Sequence, residues 1–120
     1  MPWNLSNDRP IYLQIVEQLE RHILAGKYTS GQKFPTVREL ATEAAVNPNT
    51  MQKALQELER TGLLVTNRTT GRTITENTAL IEQLRQELAH KRYAVFKEEM
   101  HELGFTDQDL LLFIQNDLSK

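Results

Sequence analysis

The sequence contains no cysteine, which excludes disulfide bonds, thiolate nucleophiles and zinc sites with sulfur ligands. It also lacks a long apolar run: the longest, residues 110–114, is far shorter than the roughly 20 residues that cross a bilayer. No basic segment followed by an apolar one opens the chain, so we expect a cytoplasmic protein that does not enter membranes. An apolar content of 39% is enough for a core without disulfides or metal.

The motifs of common enzyme sites are absent as well. The sequence has no Gly-rich phosphate loop, no His-Glu-x-x-His and no grouping of Ser, His and Asp that would suit a nucleophile. His90 and His101 lie eleven residues apart on one predicted helix, too far apart to bind one ion together. We therefore expect a protein that is not an enzyme, with no catalytic residue, no metal site and no cofactor.

Neither sign of charge is in large excess, but the two parts of the chain differ. The formal net charge is −2, whereas residues 1–75 carry nine Lys/Arg and seven Asp/Glu, and residues 76–120 carry five and nine. A basic part followed by an acidic one is compatible with one surface that meets a polyanion and another that has a different task.

Apolar residues that recur every three or four positions predict a first helix over residues 10–25. The loop that follows contains two glycines and several turn-forming residues. Thr36 and Glu39 then have the Thr-x-x-Glu spacing of a capping box, which predicts a second helix from Thr36 to about Ala44.

A third helix is predicted after a turn of only three residues. Asn47 is a suitable N-cap, Pro48 suits the first helical position and Gly62 suits the end. Its inward residues would be Met51, Ala54, Leu55 and Leu58. Two short helices with so tight a turn indicate a helix-turn-helix, and the Thr/Val/Ile-rich residues 63–67 and 72–75 predict the two strands of a hairpin wing.

The remaining chain predicts two further helices. One begins near Asn77 or Thr78 and extends for about 40 Å. The other begins at Thr106, and its segment 110–114 is apolar on every side. Because such a helix must be covered all round, we infer a second copy of the protein, and hence a homodimer. The predicted dimer contacts are Leu84, Leu88, Val95, Phe96, Leu110, Leu111, Phe113 and Ile114.

The predicted fold is mainly α with a small β-hairpin wing. Residues 1–75 would form a winged helix-turn-helix DNA-binding domain, and residues 76–120 would form a two-helix dimerisation region.

Polar side chains without an early carboxylate surround the start of the third helix. The predicted DNA contacts there are Asn47, Pro48, Asn49, Thr50, Gln52 and Lys53. Asn and Gln can pair with the N6 and N7 atoms of adenine, and a threonine methyl group can contact thymine. The alternative is a solvated polar face without a ligand. The tight preceding turn and the following hairpin favour DNA.

Arginines supply the other predicted contacts. Arg38, one turn into the second helix, could bind a guanine or a phosphate, or it could pair with Glu39 or Glu43. At the wing tip, two arginines could reach a minor groove or phosphates, although hairpin turns are often polar without a ligand. The predicted wing contacts are Arg68, Thr70, Gly71 and Arg72.

Residues 10–75 contain four motifs in a fixed order. They are Pro-Ile-Tyr, Gly-x-x-x-Pro-Thr-Val-Arg-Glu-Leu-Ala, Val-Asn-Pro-Asn-Thr and Ala-Leu-x-x-Leu-x-x-x-Gly-Leu. With these motifs the chain resembles the GntR family of bacterial transcription regulators. Val-Asn-Pro-Asn-Thr, followed by a short C-terminal region that reads as two helices, resembles the YtrA-like subfamily, in which the short tail is a dimerisation module.

The resemblance implies a homodimeric repressor of a pseudo-palindromic DNA operator, with DNA contacts at Arg38, Asn47, Asn49, Thr50 and the wing around Gly71. YtrA-like regulators often control operons for ABC transporters. Nothing in the residues names an effector, although an unknown small molecule could lodge between the apolar helices. The rival interpretation is a winged-helix protein-interaction module that does not bind DNA.

Two departures from the family matter. Many members have arginines where this chain has Pro48 and Gln52, so base recognition here should depend less on arginine. The wing also lacks the usual Gly-x-Gly pattern and has Thr69-Thr70-Gly71-Arg72 instead.

Overall fold

A computed structural model of the protein describes residues 2–120. Within these residues the chain forms five helices and one antiparallel hairpin, which confirms the predicted fold. The elements are α1 (Ile11–Leu24), α2 (Val37–Ala44), α3 (Pro48–Thr61), β1 (Leu64–Asn67), β2 (Gly71–Ile74), α4 (Thr78–Glu102) and α5 (Asp107–Leu118).

The core lies where α1 and α2 pack against α3. Every inward residue predicted for α3 is fully buried: Met51, Ala54, Leu55 and Leu58. The apolar stripe of α1 faces them with Ile15, Leu19 and Ile23, all of which are buried. Phe34 and Leu63, which lie outside the helices and strands, are buried as well. Burying this continuous apolar surface stabilises the three-helix arrangement and fixes the direction of α3.

The turn between α2 and α3 depends on two local features. Ala45 adopts a left-handed backbone conformation with φ of 56°, which is uncommon for a residue with a β-carbon. The backbone N–H of Val46 donates to the carbonyl oxygen of Ala41 at 3.0 Å, which ends α2. The side chain of Asn47 then caps α3, as predicted, so the chain reverses within three residues.

The hairpin pairs Leu64 with Ile74 and Thr66 with Arg72. Its base is joined by a third segment, which the sequence did not predict: Lys33 forms an isolated bridge with Thr73. The backbone N–H of Phe34 also donates to the carbonyl oxygen of Arg72 at 2.8 Å. The wing therefore rises from a base that is bonded to the loop before α2.

Two compact units divide the chain, with the boundary inside α4. The winged-helix unit ends at Gln83, and the C-terminal unit comprises Leu84–Lys120. The first turns of α4 belong to the winged-helix unit, where a β-carbon on Gly62 would lie 2.9 Å from the Leu80 side chain. The predicted functional division after residue 75 stays a prediction.

A reciprocal capping box starts α5 in the C-terminal unit. The Oγ1 atom of Thr106 accepts from the backbone N–H of Asp109 at 3.1 Å, and the Asp109 carboxylate accepts from the backbone N–H of Thr106 at 3.0 Å.

No helix within residues 2–120 is both long and apolar enough to cross a membrane. The same residues contain no group of three His, Asp or Glu side chains that could hold a metal ion.

Candidate nucleic-acid interface

The start of α3 presents a polar surface, which we call the recognition tip and define as residues 47–53. Pro48 occupies the first helical position, and the first turn contains no acidic residue. Asn49 and Lys53 are exposed, while Thr50 and Gln52 are half-buried. Because the buried residues occupy the opposite face of α3, these side chains are free of the core and can meet an external ligand.

Asn47 has a structural role as the N-cap of α3. Its Oδ1 atom accepts a hydrogen bond from the backbone N–H of Asn49 at 2.7 Å, which caps the helix. The cap occupies the side-chain oxygen and leaves the amide NH₂ of Asn47 as a donor group. Asn47 is thus suited to donate to an acceptor on DNA, and Asn49 is an exposed asparagine whose side chain does not serve as the cap.

Lys53 lies over an aromatic ring. Its Nζ atom is 3.8 Å from the centroid of the Tyr12 ring on α1, within the range of a cation–π interaction. This contact limits the directions that the exposed lysine can take. Sequence spacing does not reveal this role of Tyr12, because 41 positions separate it from Lys53.

Arg38 lies exposed in the first turn of α2, as the helix assignment predicts. The Oγ1 atom of Thr36 accepts from the backbone N–H of Glu39 at 3.1 Å and so fixes where this turn begins. Arg38 therefore extends from a capped helical turn rather than from a loop.

The wing places its predicted contact residues in two different environments. Arg68, Thr70 and Gly71 are exposed, and Gly71 has φ of 80°, a conformation that favours glycine. Arg72 is different, because only 19% of its side chain is exposed and its guanidinium pairs with the Glu59 carboxylate on α3. The structure therefore separates the two wing arginines, which the sequence pattern does not distinguish.

Glu59 binds both strands of the wing. Its Oε2 atom accepts from the hydroxyl of Thr66 on β1 at 2.8 Å, while its Oε1 atom accepts from Arg72 on β2. Burial raises the pKa of Glu59, but the hydrogen bonds from Thr66 and Arg72 and the charge of Arg72 lower it by more, so its pKa lies below the ordinary value. Glu59 is consequently ionised at neutral pH.

The segment before α1 is held beside the helix by two buried glutamines. The Nε2 atom of Gln14 donates to the carbonyl oxygens of Ser6 and Arg9, and Nε2 of Gln18 donates to that of Pro2. A cleft of about 380 Å³ opens between this segment and the recognition tip. Its lining residues are Leu5, Asn7, Ile11, Ala44, Ala45, Val46, Asn47 and Thr50.

The predicted dimer contacts divide by exposure. The exposed ones are Val95 (57%), Phe96 (38%), Leu111 (49%) and Phe113 (50%). Leu84, Leu88 and Ile114 are half-buried. Leu110 is only 3% exposed, so its side chain packs within one chain and has no free surface for a partner. Helix α5 is therefore partly covered by its own chain, which its pattern of apolar residues on every side does not reveal.

Comparisons with known proteins agree with this architecture. Residues 11–74 match the model of "Bacterial regulatory proteins, gntR family". The transcriptional repressor YtrA of Bacillus subtilis is 43% identical over 104 residues, which cover 78% of this chain and 80% of YtrA.

Two solved structures extend the comparison. A GntR family transcriptional regulator from Listeria monocytogenes aligns with a TM-score of 0.86 and 38% identity over 93% of this chain and 98% of that chain. AraR(DBD), solved in complex with operator ORE1, aligns with a TM-score of 0.53 and 30% identity over 62% of this chain and 94% of that chain.

The family match covers the helix-turn-helix and the wing, and the relatives are transcriptional regulators rather than enzymes. Together these similarities show that the chain belongs to the GntR family of bacterial helix-turn-helix transcriptional regulators, with YtrA among its relatives.

Proposed function

We propose that the protein is a cytoplasmic repressor that binds a pseudo-palindromic DNA operator as a homodimer. The observation that carries this proposal is the recognition tip: a capped helix end that presents amides, a hydroxyl and an ammonium group without a carboxylate in its first turn. AraR(DBD), a relative in fold and sequence, was solved on an operator. YtrA, a relative over most of the chain, is named a repressor.

In this proposal the start of α3 enters the major groove. Asn49 and Gln52 read base edges through their amides, and the Thr50 methyl group contacts a thymine. Pro48 sets the first turn of the helix and so determines where Asn49 and Thr50 point. Arg38 and Lys53 add contacts to a guanine or to phosphates. Because Pro48 and Gln52 replace arginines of many relatives, the operator should be richer in A·T contacts than theirs.

The proposed wing contacts are Arg68, Thr70 and Gly71 at the exposed tip. A positively charged side chain in this position can enter a narrow minor groove or bind the flanking phosphates. Arg72, which was also predicted to contact DNA, is paired with Glu59 and only 19% exposed.

The dimer would form through the C-terminal unit. Val95, Phe96, Leu111 and Phe113 expose apolar surface there, and burying it against a second copy would be favourable. A two-fold dimer would offer two recognition tips to half-sites about 34 Å apart, one turn of B-DNA. By family resemblance, we place an ABC-transporter operon among the candidate targets.

The test is the salt dependence of binding by the full-length protein. Duplexes would be selected from a random library, and the dissociation constant of the best duplex measured between 50 and 200 mM KCl. A dimer that neutralises six or more phosphates should lose about a thousandfold in affinity over this range. A duplex of the same composition in scrambled order is the control, and it should bind at least about a thousandfold more weakly.

If an intact dimer showed no preference for the selected duplex at moderate salt, the DNA-binding proposal would be wrong. The polar tip would then be better explained by the rival function, a winged-helix module that binds a protein partner.

A further inference from the structure

We infer that Glu59 is a positioning residue that holds the wing against α3, and that Arg72 acts through Glu59 instead of contacting DNA. This inference rests on the DNA-binding function proposed above. Glu59 would hold the two parts of that DNA-binding surface, α3 and the wing, in fixed positions relative to each other.

Strand geometry places Arg72 on the inner face of the hairpin. Successive side chains of a strand point to opposite faces, so Arg72 shares a face with Ile74, which is only 1% exposed. On β1 the same rule puts Thr66 on the same face as Leu64, which is buried. Thr66 and Arg72 are also direct partners in the strand register. Both side chains therefore point towards α3, away from the outer face of the wing.

Glu59 receives one hydrogen bond from each member of this pair. The Thr66 hydroxyl donates to one carboxylate oxygen, and the Arg72 guanidinium donates to the other. A single side chain on α3 thus connects to both strands at the same level of the ladder. The exposed tip at residues 68–70 lies beyond these two bonds.

The backbone alone anchors the two strands unequally. The β2 strand is bonded on its outer edge to the loop before α2, through Phe34 N–H and the bridge between Lys33 and Thr73. Within residues 2–120, β1 pairs with β2 only. Through Thr66, Glu59 therefore bonds β1 to α3 beyond Leu64, and losing this bond would let the tip change direction.

The two arginines of the wing differ in whether their charge is available to DNA. The carboxylate of Glu59 neutralises Arg72, whereas Arg68 is exposed at the tip. Arg68 should therefore displace counterions from DNA, and Arg72 should not. The two arginines can be distinguished by salt dependence, because each phosphate contact contributes about 0.9 to the slope of log K against log salt.

The experiment is a double-mutant cycle with Glu59→Ala, Arg72→Ala and the double variant in the full-length dimer. If the two residues act as a unit, each single variant and the double variant should weaken operator binding by a similar factor of about ten. The salt slope should stay unchanged in all three variants. Arg68→Ala should instead lower the slope by about 0.9 for each wing.

Glu57→Ala is the matched control. It removes a carboxylate from the same helix, where Glu57 pairs with Arg60 and not with the wing. Operator affinity within about twofold of the wild type would exclude a general effect of charge at α3.

Two results would overturn the inference. If Glu59→Ala tightened operator binding and steepened the salt slope, Glu59 would be competing with DNA for Arg72. If Arg72→Ala alone lowered the slope by about 0.9 for each wing, with effects that add to those of Glu59→Ala, Arg72 would be a direct phosphate contact.

A DNA-free measurement separates this inference from the proposed function. Amide hydrogen exchange at residues 67–71 should be faster in Glu59→Ala and Arg72→Ala than in the wild type. Should Glu59→Ala fail to fold, Thr66→Val removes one of the two bonds with little change in volume and should show the same acceleration to a smaller degree. Unchanged exchange would contradict the positioning role, whereas a wild type that binds no duplex would contradict the proposed function alone.

Discussion

The winged-helix unit has a buried apolar core, whereas the C-terminal unit leaves most of its large apolar side chains exposed. Among residues 2–120, fourteen of the fifteen buried apolar side chains lie in the winged-helix unit, and Leu110 is the exception. Eight of the ten large apolar side chains that are exposed lie in the C-terminal unit. Both units contain helices with a side-chain N-cap, α2 and α3 in one and α5 in the other, so the difference lies in what covers their apolar faces.

This difference indicates two separate requirements for stability. The winged-helix unit has a core of its own, so its exposed residues are available for DNA. An exposed apolar surface such as that of the C-terminal unit is typical of an interface with another molecule. Changes in the two units should therefore affect different measurements: assembly in one case, folding or base recognition in the other.

The largest expected effect comes from breaking the proposed interface. Leu111→Asp combined with Phe113→Asp should give monomers in sedimentation experiments and weaken operator binding at least about a hundredfold, because each half-site would then be bound independently. Melting of the winged-helix unit should be unchanged. Gln108→Asp with Gln115→Asp adds equal charge at exposed polar positions of α5 and should leave the dimer intact. Persistent dimers in the first variant would put the interface elsewhere.

The next effect tests the core of the winged-helix unit. Leu58 is 0% exposed, so Leu58→Ala should reduce the free energy of unfolding by about 3 kcal/mol in denaturant titrations. Leu118 is 78% exposed, and Leu118→Ala should cost less than about 0.5 kcal/mol when both are measured in the monomeric background. Equal costs would remove the contrast between the two units.

A smaller effect is expected at the DNA-reading residues. If Asn49 and Arg38 contact base edges as proposed, Asn49→Ala and Arg38→Ala should each lose about 1–3 kcal/mol of discrimination between the operator and single-base variants. Dimerisation and melting temperature should be retained. Arg21→Ala removes an exposed arginine from α1 and serves as the control. If Asn49→Ala or Arg38→Ala unfolded the protein, that residue would have a structural role.

The smallest effect concerns pH. The pKa of Glu59 is lowered in the folded protein, so its contribution to stability is fully present above pH 4.5, the ordinary pKa of glutamate, and is lost as the pH falls through the lowered value. We expect Glu59→Gln to cost about 1 kcal/mol in the free energy of unfolding at pH 7. This cost should shrink below pH 4.5. A difference that stayed constant down to pH 2 would mean that the charge of Glu59 is not involved.

Much of the candidate site followed from short-range patterns. The Asn47 cap, the proline at the first helical position and the buried face of α3 are all relations between residues at most a few turns apart on one helix. Such relations depend on local backbone geometry and helical period, which sequence spacing reveals directly. The exposed Asn49 and Lys53 follow from the same period.

The relations that sequence spacing could not reveal are contacts between elements. Arg72 and Glu59 are 13 positions apart, and their pairing depends on which face of the hairpin packs towards α3. The contact of Lys53 with Tyr12 likewise depends on how α1 crosses α3. Nothing in the spacing of these residues specifies such a crossing.

By itself, the sequence determined which segments are helices and strands, which faces are apolar and where the polar tip lies, because these properties depend on neighbours along the chain. The tertiary structure decided which exposed-looking residues are engaged within the protein. It turned Arg72 towards Glu59 and buried Leu110, since packing selects one arrangement of faces among those that the periodicity allows.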